Sequence, residues 1–353
     1  MNLGTLRKEI DKIDAHIVGL LNQRAKIILR IGKIKNKIGK SVYSPDRENE
    51  ILRRLTKDSK GPLGREALLA IYREIMSSAL ALEKPIKIAY LGPVATFSHL
   101  AALKKFGSSV EYIACNSIAD VFQEVEKGNV DYGVVPVENS IEGAVTYTLD
   151  MLVDSDLKIC SQIILDIAHN LLAKCPMSEI KRVYSNPQVL GQCRLWLNEN
   201  LANVEQIEVS STTRAAQIAA KDKRASCIAS SLAAKIYNLK IIATNIEDSP
   251  HNITRFLVVG NTDVAATGND RTSILFSIKD KVGALHDMLM PFKACKINMT
   301  KIESRPSKKK AWDYLFFVDF KGHHKDKNVG KALSRLEEKC KFLKVLGSYP
   351  IGE

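Results

Sequence analysis

Apolar residues recur every three or four positions along the first 38 residues, which predicts one long amphipathic helix. The apolar series is Leu3, Leu6, Ile10, Ile13, Ile17, Leu20, Leu21, Ile28, Ile31, Ile34 and Ile38. Gly39 and Pro45 interrupt it, and two further helices are predicted over about 46–56 and 65–82. Three helices of this size are too few to bury so long an apolar stripe. The segment is therefore predicted to pair with a second copy, as a homodimer or a higher homo-oligomer.

The pattern changes after residue 86. A short apolar strand at 88–92 opens a region in which strand-like and helix-like segments alternate up to Gly260, which predicts an α/β region with a mostly parallel sheet. The polar residues 261–270 are interpreted as a linker. The last part fits a ferredoxin-like βαββαβ order. Its strands are predicted at 273–278, 297–304, 312–320 and 342–349, and its helices at 283–292 and 329–340. We therefore expect three domains, at 1–85, 86–265 and 271–353.

Composition narrows the class of protein. The 353 residues are 45% hydrophobic and 26% charged, as in soluble globular proteins, and no apolar stretch is long enough to span a bilayer. No secretion signal is recognisable, and seven scattered cysteines without a Cys-x-x-Cys pair favour free thiols in the cytoplasm. The histidines show no metal-ligand spacing, so neither a metal nor a cofactor is expected.

The net charge of +13 raises the question of nucleic-acid binding. The charge is divided into +8 over residues 1–85, −4 over 86–270 and +9 over 271–353. A nucleic-acid binder more often carries one continuous basic stripe, so this alternative ranks last. Small anionic ligands held by individual Arg and Lys side chains explain the pattern at least as well.

One run, residues 133–143, joins an apolar strand to polar chemistry. The strand ends in Glu138, Asn139 and Ser140. At the carboxyl edge of an α/β sheet these side chains are placed to line a ligand crevice. Asn and Ser are also good helix caps, and one loop can serve both purposes.

Basic residues on the first two helices define a second candidate site. They are Arg7, Arg24, Lys35 and Arg47, the last of which precedes Glu48. With the phrases Leu6–Ile10, Leu21–Arg24, Ile31–Lys35 and Ser44–Glu48, this spacing resembles the all-helical chorismate mutase family.

The resemblance implies an intertwined dimer in which Arg7 reaches the partner's site. Arg24 and Lys35 would bind the carboxylates and ether oxygen of chorismate, and Glu48 its ring hydroxyl. The implied reaction is a rearrangement driven by preorganised positive charge. Ser44 and Glu83 replace a carboxylate and a glutamine common in the family. Because a glutamate donates a hydrogen bond only when protonated, we expect mutase activity to fall as the pH rises.

Four motifs of the middle region resemble prephenate dehydratase in its usual order. They are Leu91–Ser98, Val135–Ser140, Tyr184–Gln188 with Gln192, and Asn252–Phe256. The resemblance implies two α/β lobes like those of a periplasmic binding protein, with the site in the cleft between them. Thr254 would be the essential hydroxyl and Arg255 a carboxylate clamp. The residues expected to contact substrate are Thr96, Ser98, Glu138, Asn139, Ser140, Ser185 and Gln192.

Three residues depart from the dehydratase pattern. Val94 and Ala95 stand where an acidic residue and a glycine are usual, and Asn186 where a histidine is frequent. Alanine in place of glycine matters if the position requires a positive φ.

The last region resembles the ACT domain of phenylalanine-regulated enzymes through two short motifs. The expected phenylalanine-binding residues are Gly283, Ala284, Leu285, Glu303, Ser304, Arg305 and Pro306. Binding there would shift the dehydratase between open and closed states.

Together the resemblances imply a bifunctional chorismate mutase–prephenate dehydratase of phenylalanine biosynthesis, inhibited by phenylalanine. Two alternatives remain at this point. One is a dehydratase that prefers arogenate, and the other is a ligand-binding regulator whose dehydratase cleft is inactive. The ligands expected are chorismate, prephenate and phenylalanine, with neither a nucleic acid nor a membrane.

Overall fold

The computed structural model describes residues 2–39, 41–278, 282–306 and 314–351. The chain divides into two compact units. The first comprises the residues up to Lys87 together with Lys105–Glu111, and the second comprises Ile88–Lys104 and the residues from Tyr112 onward. Apart from residues 86–87 and 105–111, the second and third predicted domains lie within one unit.

The first unit is built from three helices, as the periodicity predicted. They are α1 (Leu3–Lys37), α2 (Pro45–Asp58) and α3 (Arg65–Glu83). Helix α1 packs on α3 but leaves most of its apolar series exposed, from Leu3 at 64% to Ile31 at 38%. In α1, which is described in full, Gly32 is the one buried residue. A Cβ there would lie 2.7 Å from Glu83 Cγ, so glycine allows the close approach of α1 to α3.

The second unit begins with two lobes, each containing one sheet. Up to the crossing into the second lobe the elements are β1 (Lys87–Leu91), α4 (Phe97–Phe106), β2 (Glu111–Cys115), α5 (Ile118–Glu126), β3 (Tyr132–Asn139), β4 (Gly143–Ala144), α6 (Thr146–Asp154) and β5 (Lys158–Asp166). The second lobe and the return strand contain β6 (Asn170–Ala173), a 3₁₀ turn (Met177–Glu179), β7 (Arg182–Ser185), α7 (Pro187–Gln192), α8 (Arg194–Asn200), β8 (Glu205–Glu208), α9 (Thr212–Ala219), β9 (Ala225–Ala229), α10 (Ser231–Ile236), β10 (Lys240–Ala243) and β11 (Ile253–Gly260).

The strand order is β2-β1-β3-β11-β5, with β4 beside β3, in the first sheet, and β10-β6-β9-β7-β8 in the second. The prediction of a mostly parallel sheet is wrong. Strand β1 is parallel to β3, but β11 is antiparallel to both β3 and β5, and β6 is antiparallel to β9 and β10. The chain leaves the first sheet through β5 and returns from the second lobe through β11. This return strand therefore runs against its neighbours.

The segment after Asn139 is a hairpin rather than a capped helix. Gly143, with φ +82°, lies at the turn into β4, which pairs back onto Glu138 and Asn139. Because the left-handed conformation suits glycine, the chain reverses here and the next helix begins only at Thr146. The expected helix-cap role of this run is therefore wrong.

The last region has the predicted ferredoxin-like order. Its elements are β12 (Asp270–Ser277), α11 (Ala284–Ala294), β13 (Met299–Pro306), β14 (Tyr314–Lys321), α12 (Lys327–Glu337) and β15 (Phe342–Pro350). The antiparallel sheet has the order β13-β14-β12-β15. The predicted start of the third strand, residues 312–313, lies outside the described residues.

This sheet packs directly against the dehydratase-like part of the second unit. A Cβ on Gly347 of β15 would lie 2.3 Å from the carbonyl oxygen of Ile159 in β5, so the two strands touch through backbone. Lys344 Nζ donates to the carbonyl oxygens of Leu152, Val153 and Ser155 at the end of α6. Among the helices of the described ranges, none has both the length and the apolar character of a bilayer span.

Candidate functional sites

A cavity of about 520 Å³ lies in the first unit among α1, α2, α3 and the Lys105–Phe106 segment. Its lining carries six cationic side chains and two carboxylates. The cations are Arg24, Lys35, Arg47, Arg54, Arg73 and Lys105, and the carboxylates are Glu48 and Glu83. The remaining wall is largely apolar, with Ile28, Ile51 and Leu80 among its residues. A compact anion with an apolar ring matches such a lining.

Two ion pairs hold charge in this cavity. Lys35 Nζ lies 3.0 Å from Glu83 Oε1 and donates to the carbonyl oxygen of Val42 at 2.7 Å. Glu48 Oε2 lies 2.9 Å from Lys105 Nζ. Each lysine is thereby fixed in place, and each carboxylate is neutralised by a cation.

Five of the six expected mutase residues line this cavity; Arg7 does not. Arg7 lies seventeen residues before Arg24 on the same helix, which corresponds to about 25 Å at the rise of an α-helix. Arg47 lines the cavity while bonding to Glu50 at 2.5 Å in an exposed pair. Sequence reasoning missed Arg54, Arg73 and Lys105. Arg54 follows Arg47 by two helical turns and so lies on the same face of the helix, a spacing from which it could have been predicted.

In the second unit, Thr254 lies directly opposite Asn139 across the β11–β3 pair. Asn139 Nδ2 donates to Thr254 Oγ1 at 2.8 Å. The amide has one possible orientation, because Asn139 Oδ1 accepts the backbone N–H groups of Ile141 and Glu142. Since Thr254 Oγ1 accepts this bond, its own hydrogen is available to a ligand.

The network continues away from Thr254 through amide side chains and reaches a carboxylate, since Gln192 Nε2 donates to Glu142 Oε1 at 3.2 Å. Asn139 Nδ2 also bonds to Asn252 Oδ1 at 2.8 Å, and Asn252 Nδ2 donates to Gln192 Oε1 at 3.3 Å. His169 Nε2 lies 3.0 Å from the same Gln192 oxygen. His169 is almost fully buried, and burial lowers its pKa, so it is held neutral. Asn252 and His169 were not predicted as site residues, and the sequence marks them only as polar residues beside apolar strands.

The structure separates the other predicted residues of these strands from Thr254. Successive side chains of a strand point to opposite faces, so Arg255 and Glu138 lie on the face opposite Thr254 and Asn139. There Glu138 Oε2 is 3.6 Å from Arg255 Nη1 and 3.0 Å from Lys301 Nζ of β13. The geometry therefore does not place Arg255 as a carboxylate clamp beside Thr254.

Arg255 instead belongs to a buried ring of hydrogen bonds with the last domain. Its Nη1 donates to Asp319 Oδ2 at 2.6 Å, and its Nη2 donates to Tyr349 Oη at 2.7 Å. Ser273 Oγ contacts both Tyr349 Oη, at 2.6 Å, and Asp319 Oδ1, at 2.5 Å, which closes the ring. Burial raises the pKa of Tyr349 to about 12, so the phenol stays protonated. Burial acts to lower the pKa of Arg255, but the opposite effect of Tyr349 and Asp319 is larger. The pKa of Arg255 is therefore raised, and the side chain stays charged.

Two expected contact residues have backbone roles. Ser185 is fully buried and donates to the carbonyl oxygen of Ile228 at 2.9 Å. Ser140 Oγ donates to the carbonyl oxygen of His251 at 2.6 Å and accepts the N–H of Ile253 at 2.9 Å. Ser140 therefore holds the start of β11 and positions Thr254 indirectly.

The other two expected contact residues lie at the start of α4, Thr96 just before the helix and Ser98 in its first turn. Thr96 Oγ1 accepts the N–H of His99, which caps the helix, and donates to the carbonyl oxygen of Leu91. Ser98 is buried.

Val94 and Ala95, which differ from the usual dehydratase motif, are held by hydrogen bonds from the second lobe. Thr213 Oγ1 donates to the carbonyl oxygen of Val94, and Ser230 Oγ donates to that of Ala95, each at 2.9 Å. Ala95 has φ +73°, so the position does require the conformation that glycine adopts most readily. The alanine costs roughly 1–2 kcal/mol of backbone strain.

In the ACT-like region both predicted motifs reach one edge of the sheet. Ser277, at the end of β12, pairs with Leu315, and Leu315 pairs with Arg305 near the end of β13. Helix α11, which starts after Gly283 (φ +75°), and the end of β13 therefore approach the same edge. Ala284 is buried and Leu285 is more exposed.

The second motif divides between the two faces of β13. Arg305 lies on the less exposed face with Glu303 and forms an ion pair with Asp150 of α6 at 3.0 Å. Ser304 and Pro306 are exposed. The four residues of this motif therefore cannot all face one ligand within a single chain.

Family models match the chain in three consecutive segments. Residues 6–84 match chorismate mutase type II, residues 88–264 prephenate dehydratase, and residues 272–338 the ACT domain. The cavity residues up to Glu83 lie in the first match and the Thr254 network in the second.

Curated relatives cover the whole chain. A bifunctional chorismate mutase/prephenate dehydratase of Aquifex aeolicus is 54% identical over 99% of this chain and 98% of its own length. A bifunctional chorismate mutase/prephenate dehydratase of Neisseria gonorrhoeae is 46% identical over 98% of this chain and 96% of its own length. The crystal structure of an Arthrobacter aurescens prephenate dehydratase in complex with L-Phe matches with a TM-score of 0.70 and 32% identity, over 75% of this chain and 90% of that one. The chain belongs to the family of bifunctional chorismate mutase/prephenate dehydratases.

Proposed function

We propose that this chain rearranges chorismate to prephenate and then converts prephenate to phenylpyruvate, in the biosynthesis of phenylalanine and under its feedback inhibition. The main support is that each of the two segments that match an enzyme family contains a site of its own. The first holds a cationic cavity, and the second holds a threonine hydroxyl hydrogen-bonded to a chain of amide side chains. The curated relatives combine the same two activities in their names.

The cavity suits the rearrangement because the reaction needs positive charge and a compact conformer rather than a covalent partner. Arg24 and Lys35 hold the substrate carboxylates and face the ether oxygen, where electron density grows as the C–O bond breaks. Glu48 accepts a hydrogen bond from the ring hydroxyl. The apolar wall encloses the folded substrate, which lowers the entropic cost of reaching the transition state.

The Thr254 network suits the second reaction, in which prephenate loses its ring hydroxyl and one carboxyl group. The C–C bond to that carboxyl breaks, CO₂ departs, and its electron pair completes the aromatic ring as the hydroxyl leaves. With Asn139 donating to its oxygen, Thr254 donates a hydrogen bond to the leaving hydroxyl, which takes up one proton from solvent and departs as water, so that Thr254 keeps its own hydrogen. Arg255 and Glu138 support this strand pair from the opposite face.

One assay tests both activities. Purified protein supplied with chorismate should release phenylpyruvate, identified by mass. Accumulation of prephenate alone would contradict the dehydratase assignment and favour a ligand-binding cleft without turnover, and unchanged chorismate would contradict the mutase assignment. Parallel turnover of prephenate and arogenate decides which substrate the dehydratase prefers.

The proposed active form is a homodimer in which Arg7 completes the partner's cavity. Two observations support it: Arg7 lies about 25 Å along α1 from the cavity of its own chain, and α1 exposes most of its apolar series. Arg7→Ala and Arg24→Ala should each lack mutase activity, whereas the two variants mixed and allowed to exchange subunits should regain part of it. No recovery on demonstrated subunit exchange would contradict the shared site. The seven unpaired thiols are the support for a cytoplasmic location.

Phenylalanine is proposed to bind at the sheet edge formed by Gly283–Leu285 and the end of β13. The Arthrobacter relative was crystallised in complex with L-Phe, which supports phenylalanine as the ligand. Binding reaches the cleft through the ring that joins Arg255 to Asp319 and Tyr349. Calorimetry should show phenylalanine binding, and the same concentrations should slow phenylpyruvate formation. Binding without inhibition would refute the regulatory role.

A further inference from the structure

Lys105 is a cavity residue that the chorismate mutase match does not include. That match ends at residue 84, whereas Lys105 lies near the end of α4, within the segment matched to prephenate dehydratase. In the structure Lys105 belongs to the first unit and lines the cavity with Arg24, Lys35 and Glu48. Its Nζ is 2.9 Å from Glu48 Oε2, and the two side chains are only 20% and 14% exposed.

The segment that carries Lys105 is attached firmly to the helices of the first unit. The Phe106 ring packs on Tyr43 with centroids 5.0 Å apart, and Lys105 Nζ lies 5.9 Å above the same tyrosine ring. Ser109 donates its backbone N–H to Ser77 Oγ of α3 at 2.9 Å.

The turn between these contacts is also constrained. Gly107 has φ +71°, and a Cβ there would lie 2.6 Å from Ser77 Cβ. Ser108 donates its backbone N–H to Glu74 Oε2 at 3.1 Å and its hydroxyl to the same oxygen at 2.5 Å. Lys105 is therefore a fixed part of the cavity wall.

A carboxylate in a cavity for a dicarboxylate raises an electrostatic problem. Glu48 is needed to accept the substrate hydroxyl, but an unpaired carboxylate at low exposure repels an incoming dianion and is costly to desolvate. Lys105 solves both problems. It neutralises Glu48 and fixes one of its oxygens, while the remaining lone pairs stay available to a hydroxyl.

We propose that Lys105 is a positioning residue of the mutase site, acting through Glu48. This proposal rests on the proposed mutase activity. It means that residues of the dehydratase segment complete the mutase site, and that residues 1–85 alone lack one of its charges.

The test uses both activities of the full-length protein. Lys105→Met should lower mutase kcat/KM by roughly 10- to 100-fold, the kinetic equivalent of losing one hydrogen bond to a charged group. Phenylpyruvate formation from prephenate should stay at the wild-type rate, which shows that the variant is folded. Lys105→Arg, which keeps the charge, should restore most of the mutase activity.

The adjacent Lys104→Met is the matched control, because it removes the same charge from the same helix. Lys104 Nζ donates to the carbonyl oxygen of Ile164, and the residue belongs to the second unit. This variant should retain mutase activity.

A double variant separates positioning from direct substrate binding. In the Glu48→Gln background, Lys105→Met should change mutase kcat/KM by no more than about twofold, because its effect passes through Glu48. Full additivity would contradict action through Glu48, and wild-type mutase activity in Lys105→Met would overturn the proposal outright. If the wild-type protein leaves chorismate unchanged, the proposed mutase activity is refuted. If chorismate turnover is the same with and without Lys105, only the role of Lys105 is refuted.

Discussion

The two sites of this protein use charge in opposite ways. The cavity of the first unit carries six cations and two carboxylates on its inner wall, with Lys35 and Lys105 each paired to a glutamate. Around Thr254 the hydrogen-bonded side chains are amides and a neutral histidine, and a carboxylate that joins them, that of Glu142, bonds to Gln192 rather than to Thr254. The nearest charged residues of the same strands, Arg255 and Glu138, lie on the opposite face.

The difference follows from what each reaction requires. A rearrangement with a polar transition state gains from fixed positive charge next to the breaking bond. A dehydration that ends in loss of CO₂ needs a hydroxyl hydrogen aimed at the leaving group. A permanent cation would stabilise the carboxylate that must be lost. The dehydratase strands therefore use their ion cluster as a structural support, and the mutase uses its ion pairs as the site itself.

The largest expected effect is at Thr254. Thr254→Val keeps the side-chain shape but removes the hydroxyl, so phenylpyruvate formation should fall at least about 100-fold, while mutase turnover is unaltered. Thr254→Ser, which retains the hydroxyl, should keep measurable dehydratase activity. Both rates are measured on one preparation, with chorismate and with prephenate. A parallel fall of both would contradict the separation of the two sites.

The sequence predicted the helices of the first unit to within about two residues, because their periodicity is local. It also placed Thr254 and Asn139 together through the resemblance. It did not predict that β11 is antiparallel to its neighbours or that Arg255 faces the last domain. Both depend on the return of the chain from the second lobe, which joins residues more than a hundred positions apart. Lys105 was missed because its partner Glu48 lies 57 positions earlier in the sequence (105 − 48), on a different helix, and only the fold brings the two together.

The second expected effect concerns the ion cluster behind the dehydratase strands. Asp319→Ala removes the carboxylate that bonds to the Arg255 guanidinium at 2.6 Å and leaves that side chain, only 10% exposed, with Glu138 at 3.6 Å, so the free energy of unfolding of the second unit should fall by about 3–5 kcal/mol. Both tryptophans of the chain follow residue 112, so their fluorescence in a denaturant titration reports on this unit.

Arg182→Gln is the control for this measurement. It removes a half-exposed pair with Asp222 in the same unit and should cost less than about 1 kcal/mol. Equal losses in the two variants would contradict the structural role assigned to the buried cluster.

A third expected effect is a change of pH dependence in the mutase cavity. Glu83 lies 3.0 Å from Lys35, and a glutamate donates a hydrogen bond to a substrate oxygen only when it is protonated, so mutase activity should fall as the pH rises. Glu83→Gln carries a permanent donor and should flatten this profile. The measurement is mutase kcat/KM against pH for both proteins. An already flat wild-type profile, unchanged in Glu83→Gln, would rule out this role.

The smallest expected effect tests whether His169 of the dehydratase network must remain neutral. Burial holds the pKa of His169 below its ordinary value near 6.5, so the unfolded chain takes up a proton there before the folded chain does. Stability from this residue is therefore complete above about pH 6.5 and is lost as the pH falls from there toward the folded pKa. His169→Gln, which cannot be protonated, should show a shallower loss of second-unit stability between pH 7 and 5, measured by tryptophan fluorescence in denaturant. His286→Gln, at a side chain 76% exposed, should leave the slope unchanged. If His169→Gln kept the full slope, protonation of other residues would cause the loss of stability, and the contrast between a cationic cavity and a network built on amides and a neutral histidine would lose this support.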